Sequence, residues 1–266
     1  MGWTRPLPHV WTLEDHRKAM AGVKLVKGVH VSAVGAADYA SVETAWLARV
    51  FTDELPVALI GTIDLRATLR SMERVLDTCM RFSNFRGIRV MQPIDYASER
   101  GIGLLRLLSE RNLLYDAVSY LDGGIAALTA AAARFPELQI VVEHTGWPPN
   151  QSLNPDQFGE WQANIKACAA QKNCHVKLSG LGMVYHRTST REFLPYFEWC
   201  LEHFGARRCM FATNFPIDAM YGSFSELLRV FDATVATLSP ADQASVFSAT
   251  AERVYRIRNV TYPNPQ

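Results

Sequence analysis

The sequence has almost no net charge, no long apolar run and few cysteines, and each lack narrows what the chain can be. Lys and Arg number 27 against 26 Asp and Glu, a formal charge of +1 at pH 7. A balance so close to neutral gives no electrostatic reason to expect nucleic acid or an anionic membrane as a partner. Small-molecule substrates remain open, anionic ones included, because a pocket can be basic in a neutral chain. No apolar stretch approaches the roughly 20 residues that a membrane helix needs. The opening residues, Met1 to Pro6, lack the apolar centre of an export signal. The five cysteines, Cys79, Cys168, Cys174, Cys200 and Cys209, are odd in number and form no compact framework, which points to reduced thiols in a cytoplasmic protein. Cys168 and Cys174 have five residues between them and no Cys–His pair nearby, so they do not read as a zinc knuckle.

What is present is alternation. Apolar, β-branched runs take turns with segments of helical periodicity, the pattern of an α/β protein with a parallel sheet. Seven runs read as strands, within Val23–Val34, Pro56–Leu65, Phe85–Met91, Leu113–Tyr120, Leu138–His144, Cys174–Gly180 and Arg208–Asn214. Helical stripes follow them, at 42–51, 69–82, 103–110, 125–135, 158–171, 190–204 and 224–237. A last helix starts at Ser239-Pro240 and runs to about Tyr255. Hydrophobic residues make up 48% of the chain, enough for one large core, and 266 residues suit one (β/α)8 barrel of about 250 residues. We therefore expect a single domain over 1–266, with residues 1–22 poorly determined. Seven strands are one short of a closed barrel. The remaining place for an eighth is the N-terminal stretch, where Pro6 and Pro8 argue against a central strand. Either a poor strand forms at His9–Leu13 or the first strand is missing, and the second is preferred.

In such barrels reacting groups project from the C-terminal ends of the strands. His144 closes the run Ile140-Val141-Val142-Glu143, where a metal ligand or general base would lie, or where loop carbonyls could satisfy its ring. Trp147 follows it. Asn214 ends the last strand, where it can orient water or an oxyanion or tie down the loop before Pro216; Asp218 can supply a carboxylate or cap a turn. Arg86 and Arg89 share one strand, and Arg89, nearer its C-terminal end, is the better fork for a substrate carboxylate. Lys177 lies in a buried strand, which is costly unless it is paired or lines a wet pocket. Tyr120 can lend a hydroxyl or form a rim. His30 reads as a strand residue with a satisfied ring. His9, His16, His175, His186 and His203 read as loop or helix-surface residues.

The segments NFRGIRVM, VVEHTGWP, VKLSGLGM, CMFATNFPID and AERVYRI, in this order from about Val23 to Ile257, resemble the amidohydrolase-2 family of metal-dependent TIM-barrel hydrolases and related lactonases. The resemblance implies that His144 contacts a metal or the substrate carbonyl and that Arg89 binds a substrate carboxylate. Two features depart from the family pattern. The His-x-His of the family's first strand, two metal ligands, occurs nowhere here, and Asn214 stands where an aspartate is usual. His144 is thus the one metal ligand that can be named, and the cofactor expectation is none or a single divalent ion, zinc or manganese. The reading is a lactone hydrolase acting on a small carboxylated substrate, with His144, Asn214 and Asp218 as catalytic residues and Arg89, Lys177, Tyr120 and Trp147 around the substrate. The alternatives are a decarboxylase of an aromatic or unsaturated acid, and an inactive or binding-only relative. An incomplete barrel has open strand edges, so a homodimer is a further expectation.

Overall fold

A computed structural model describes residues 10–20, 22–32, 39–51, 55–119 and 124–257. Seven strands lie side by side in chain order: β1 (Gly28–Val31), β2 (Val57–Gly61), β3 (Phe85–Arg89), β4 (Leu114–Ala117), β5 (Ile140–Val142), β6 (Cys174–Leu178) and β7 (Cys209–Phe211). Every neighbouring pair is parallel. The sheet curls into an open barrel of the TIM type, and among the described residues β1 and β7 each pair on one side alone. All residues of β2, β4, β5 and β6 are buried; β2 and β5 read as unbroken apolar runs, while β4 carries Asp116 and β6 carries His175 and Lys177.

Helices pack against the sheet's outer face: α2 (Ala40–Val50), α3 (Leu69–Cys79), α4 (Glu99–Glu110), α5 (Gly124–Arg134), α6 (Pro155–Ala169), α8 (Thr190–Phe204) and α9 (Phe224–Val235). Side chains alternate along each strand. Tyr115 and Ala117 of β4, Ile140 and Val142 of β5, and Cys174, Val176 and Leu178 of β6 join the large core under the helices. Leu114, Val141 and Met210 face the barrel interior, together with Ala58 and Ile60 of β2.

The C-terminal helix α11 (Thr250–Val254) enters that interior. Val254 and Tyr255 pack with the inner-face residues, with Val29, Val31 and Ile257 around them. Lys27 before β1 pairs with Glu252, and Arg86 at the start of β3 holds the Arg256 carbonyl at 3.1 and 3.2 Å. The segment from Thr250 to Ile257 thus crosses beneath the strand starts and fills space inside a sheet of seven strands.

Several element bounds differ from the sequence reading for identifiable reasons. Val10 to Thr12 form no strand; Thr12 and Asp15 instead make a reciprocal cap that opens helix α1 (Leu13–Ala19), while His9 lies outside the described residues. Ser98 caps α4, which starts at Glu99, four residues before the expected start, and Pro155 opens α6 at its first turn. The last helix runs as α10 (Pro240–Ala244), one wide turn at Ser245–Ala249, and α11. A short helix, α7 (Leu181–Tyr185), follows β6 directly.

Candidate active site

Three strand ends converge on one glycine. After β5 the chain passes through Glu143 into a tight turn in which His144, Thr145 and Trp147 all hold left-handed backbone angles, φ of 53°, 53° and 57°. Such angles are uncommon for residues with a side chain and mark a backbone held for a purpose. The turn brings His144 Nδ1 to 2.9 Å from the Ser179 hydroxyl, just beyond β6. Gly180 comes next, at φ 76°, and a Cβ there would lie 2.5 Å from the His144 ring, so no other residue fits. The Gly180 N–H donates to the carboxyl of Asp218. Beyond β7, Asn214, also left-handed at φ 52°, donates from Nδ2 to Asp218 Oδ1 at 3.1 Å. The structure therefore brings His144, Asn214 and Asp218 together, with Ser179 and Gly180 as the joint between them.

The two titratable groups are tuned in opposite directions. Burial pushes the Asp218 carboxyl up to about 7, against the hydrogen bonds from Asn214 and Gly180. Burial pushes the His144 imidazole down to about 4, with Glu143 pulling the other way. At neutral pH the ring is uncharged and the carboxyl is shared between its two forms.

Beside this pair lies a buried chain of four charges. Lys177 Nζ donates to both oxygens of Asp116, at 2.8 and 3.0 Å, and to Glu143 Oε1 at 3.3 Å. Arg89 Nη1 donates to both Glu143 oxygens at 3.2 and 3.3 Å, and its Nη2 donates to the Ser32 carbonyl. Tyr255, from the C-terminal segment, donates to Asp116 Oδ2 at 2.8 Å. Burial alone would raise Glu143, but Arg89 and Lys177 outweigh it and hold the carboxyl below its ordinary range. Burial raises Asp116, and the ammonium opposes it. Arg89 and Lys177, expected around a substrate carboxylate, each meet internal carboxylates here: two cations face two internal anions. Sequence reasoning passed over Asp116, Glu143, Ser179 and Tyr255. A lone acid inside an apolar strand is the same signal that singled out Lys177, and Asp116 and Glu143 both carry it.

Trp147 sets its ring edge-on to His144, centroids 5.7 Å apart, and lines a cavity of about 800 Å³ with Trp161, Pro148, Asn164 and Met183. His186 and Tyr221, stacked with ring centroids 5.5 Å apart, also line it. No Lys or Arg is among the described residues that line it. Tyr120, expected at this rim, lies outside the described residues. His175 is not a surface residue: it is buried on β6, two positions before Lys177. His30 is not satisfied, since its buried Nδ1 has no hydrogen-bond partner among the described residues.

The donor set among the described residues does not fit a metal. Among the described residues no three His, Cys, Asp or Glu side chains converge on one point. Asp116 and Glu143 are engaged by Lys177 and Arg89, and His144 contributes one nitrogen, Nε2, which faces Glu143 Oε2 at 3.8 Å.

Comparison with known proteins agrees with this fold. The family described as amidohydrolase matches residues 12–257. The chain belongs to that family. Protein y4mH of Sinorhizobium fredii, itself uncharacterised, is 28% identical over 261 residues, covering 93% of this chain and 86% of the relative. The L-fucono-1,5-lactonase of Burkholderia ambifaria is 28% identical over 211 residues, 75% of this chain and 70% of that enzyme. Among solved structures, an amidohydrolase from Burkholderia multivorans with bound HEPES superposes with a TM-score of 0.78 at 24% identity, covering 93% of this chain and 89% of the other. The same protein with bound zinc gives a TM-score of 0.78 at 23% identity. These structural likenesses establish the fold. No helix among the described residues is long and apolar enough to cross a membrane.

Proposed function

We propose that the chain is a hydrolase that opens a lactone whose body carries no charge. The observation that carries this reading is the pairing, around Gly180, of an uncharged His144 with an Asp218 carboxyl whose pKa is about 7. A group that titrates near the working pH can both take and return a proton. Asp218 removes a proton from water as the oxygen attacks the acyl carbon. It then returns that proton to the ring oxygen as the acyl C–O bond breaks, giving a hydroxy acid. With the Ser179 hydroxyl donating to Nδ1, His144 carries its proton on Nε2 and donates to the carbonyl oxygen, where negative charge gathers. Asn214 keeps Asp218 in place. None of these steps needs a group beyond the residues named.

The electrostatics favour an uncharged substrate body over the carboxylated one expected from the sequence. Arg89 and Lys177 are neutralised within the protein, and the cavity beside Trp147 offers aromatic faces, side-chain amides and the Glu160 carboxylate but no described Lys or Arg. The L-fucono-1,5-lactonase among the relatives supports the same class. The test is turnover of uncharged and carboxylated lactones by the protein and by its His144→Ala variant. The variant should lose about 10²–10⁴ in kcat. Unchanged turnover in the variant would remove His144 from the mechanism. Carbon dioxide released from aromatic acids, with no lactone opened, would replace hydrolysis by decarboxylation.

A further inference from the structure

Tyr255 is fully buried at the end of α11, inside the barrel rather than under the outer helices. Its ring packs among Ala58, Leu114, Val141 and Met210, and phenylalanine would fill that space as well. The hydroxyl is the part that packing does not explain. A buried hydroxyl is costly without a partner, and this one finds Asp116 Oδ2 at 2.8 Å, across 139 residues of sequence. Lys177 Nζ lies 5.5 Å from the centre of the same ring and donates to the same carboxylate. Lys177 also reaches Glu143, which Arg89 holds from the other side and whose neighbour in the chain is His144.

We infer that Tyr255 is a positioning residue for the active site: its hydroxyl fixes Asp116, Asp116 fixes Lys177, and Lys177 with Arg89 fixes Glu143 at the base of the turn that carries His144. The inference rests on the proposed lactone hydrolysis for its kinetic effect and on the structure alone for its effect on Lys177. Every carboxylate oxygen of Asp116 and Glu143 accepts a hydrogen bond in this network, and removing one donor loosens the geometry that the others share.

The experiment uses Tyr255→Phe in the full chain, which keeps the ring and removes one oxygen. Two quantities are read beside the thermal midpoint. The first is kcat and KM on a lactone that the unaltered protein opens. The second is acylation of Lys177 by acetic anhydride, measured by peptide mass spectrometry against the exposed Lys166 in the same digest. We expect kcat to fall by about ten- to a hundredfold with KM nearly unchanged, because misplacement of reacting groups acts on the chemical step. Labelling of Lys177 should rise severalfold while the thermal midpoint moves little. Unchanged kcat, or unchanged labelling, overturns the inference: the first removes Tyr255 from the reaction, the second removes Lys177 as the route. A fallen midpoint with kcat intact assigns the hydroxyl to stability alone and overturns it too. If the unaltered protein opens no lactone, the proposed function fails, and the labelling decides whether Tyr255 holds Lys177.

Discussion

Two residues along the same strand separate two kinds of interior. On β4 the inward positions are Leu114 and then Asp116; on β5, Val141 and then, just beyond the strand, Glu143; on β6, His175 and then Lys177. The lower layer, toward the strand starts, is mostly apolar and packs against Val254 and Tyr255. The upper layer carries charges buried almost as deeply. Apolar side chains in the lower layer gain by leaving water and impose little direction on one another. Charges in the upper layer lose by leaving water and recover it only through partners at fixed distances. The lower layer holds the barrel together, and the upper layer determines where its few polar atoms can be.

The largest effect should come from removing one charge from the upper layer. Lys177→Met leaves Asp116 and Glu143 buried without their shared cation, and breaking a buried pair in this way costs about 3–5 kcal/mol. Urea denaturation of the variant measures it; a loss well under about 1 kcal/mol would mean that water reaches these carboxylates and that the two layers do not differ as described. Leu114→Ala samples the lower layer of the same sheet. The lost methyl groups and the cavity should cost about 2–4 kcal/mol, with the mouth unchanged. Its signature is a drop in stability with kcat intact, whereas Lys177→Met should lower both. A Leu114→Ala variant that loses turnover in proportion to stability would merge the two layers into one.

The lower layer and the outer core were legible in the sequence, because their rule is local. Val57–Gly61 and Ile140–Val142 are buried on both faces and read as apolar runs of strand length. The strand ends were legible for the same reason: once β5 and β7 are placed, His144, Asn214 and Asp218 follow at the C-terminal edge. The pairing was not legible. Whether Lys177 meets a substrate or Asp116 depends on how far the sheet curls, and no window of sequence spans 61 residues of separation. Tyr255 was harder still, since nothing in AERVYRI shows that the helix end turns into the barrel. Helix starts were missed where a cap outranked periodicity, as at Ser98 and Pro155.

An effect visible only as a pH dependence separates the two titrating groups at the mouth. Asp218 has a native pKa of about 7 against an ordinary 3.8, so between roughly pH 4 and 7 the native chain keeps a proton that the unfolded chain has released. Its contribution to stability therefore falls as pH rises through that window and is level above it. His144, at about 4 against an ordinary 6.5, has the opposite sign: the unfolded chain holds the extra proton, and stability rises with pH from about 4 to 6.5. His175, also pushed down to about 4 by burial, acts as His144 does. In the unaltered protein these contributions oppose one another. Asp218→Asn removes the falling one. The stability of the protein minus that of the variant should then decline by at most about 1.4 kcal/mol per pH unit from about pH 4 to about pH 7, and be level above. Urea denaturation at several pH values from about 4.5 to about 8 measures that difference. A level difference throughout would place the Asp218 pKa near that of an ordinary carboxylate, and the proton acceptor in lactone opening would then have to be sought on another strand end.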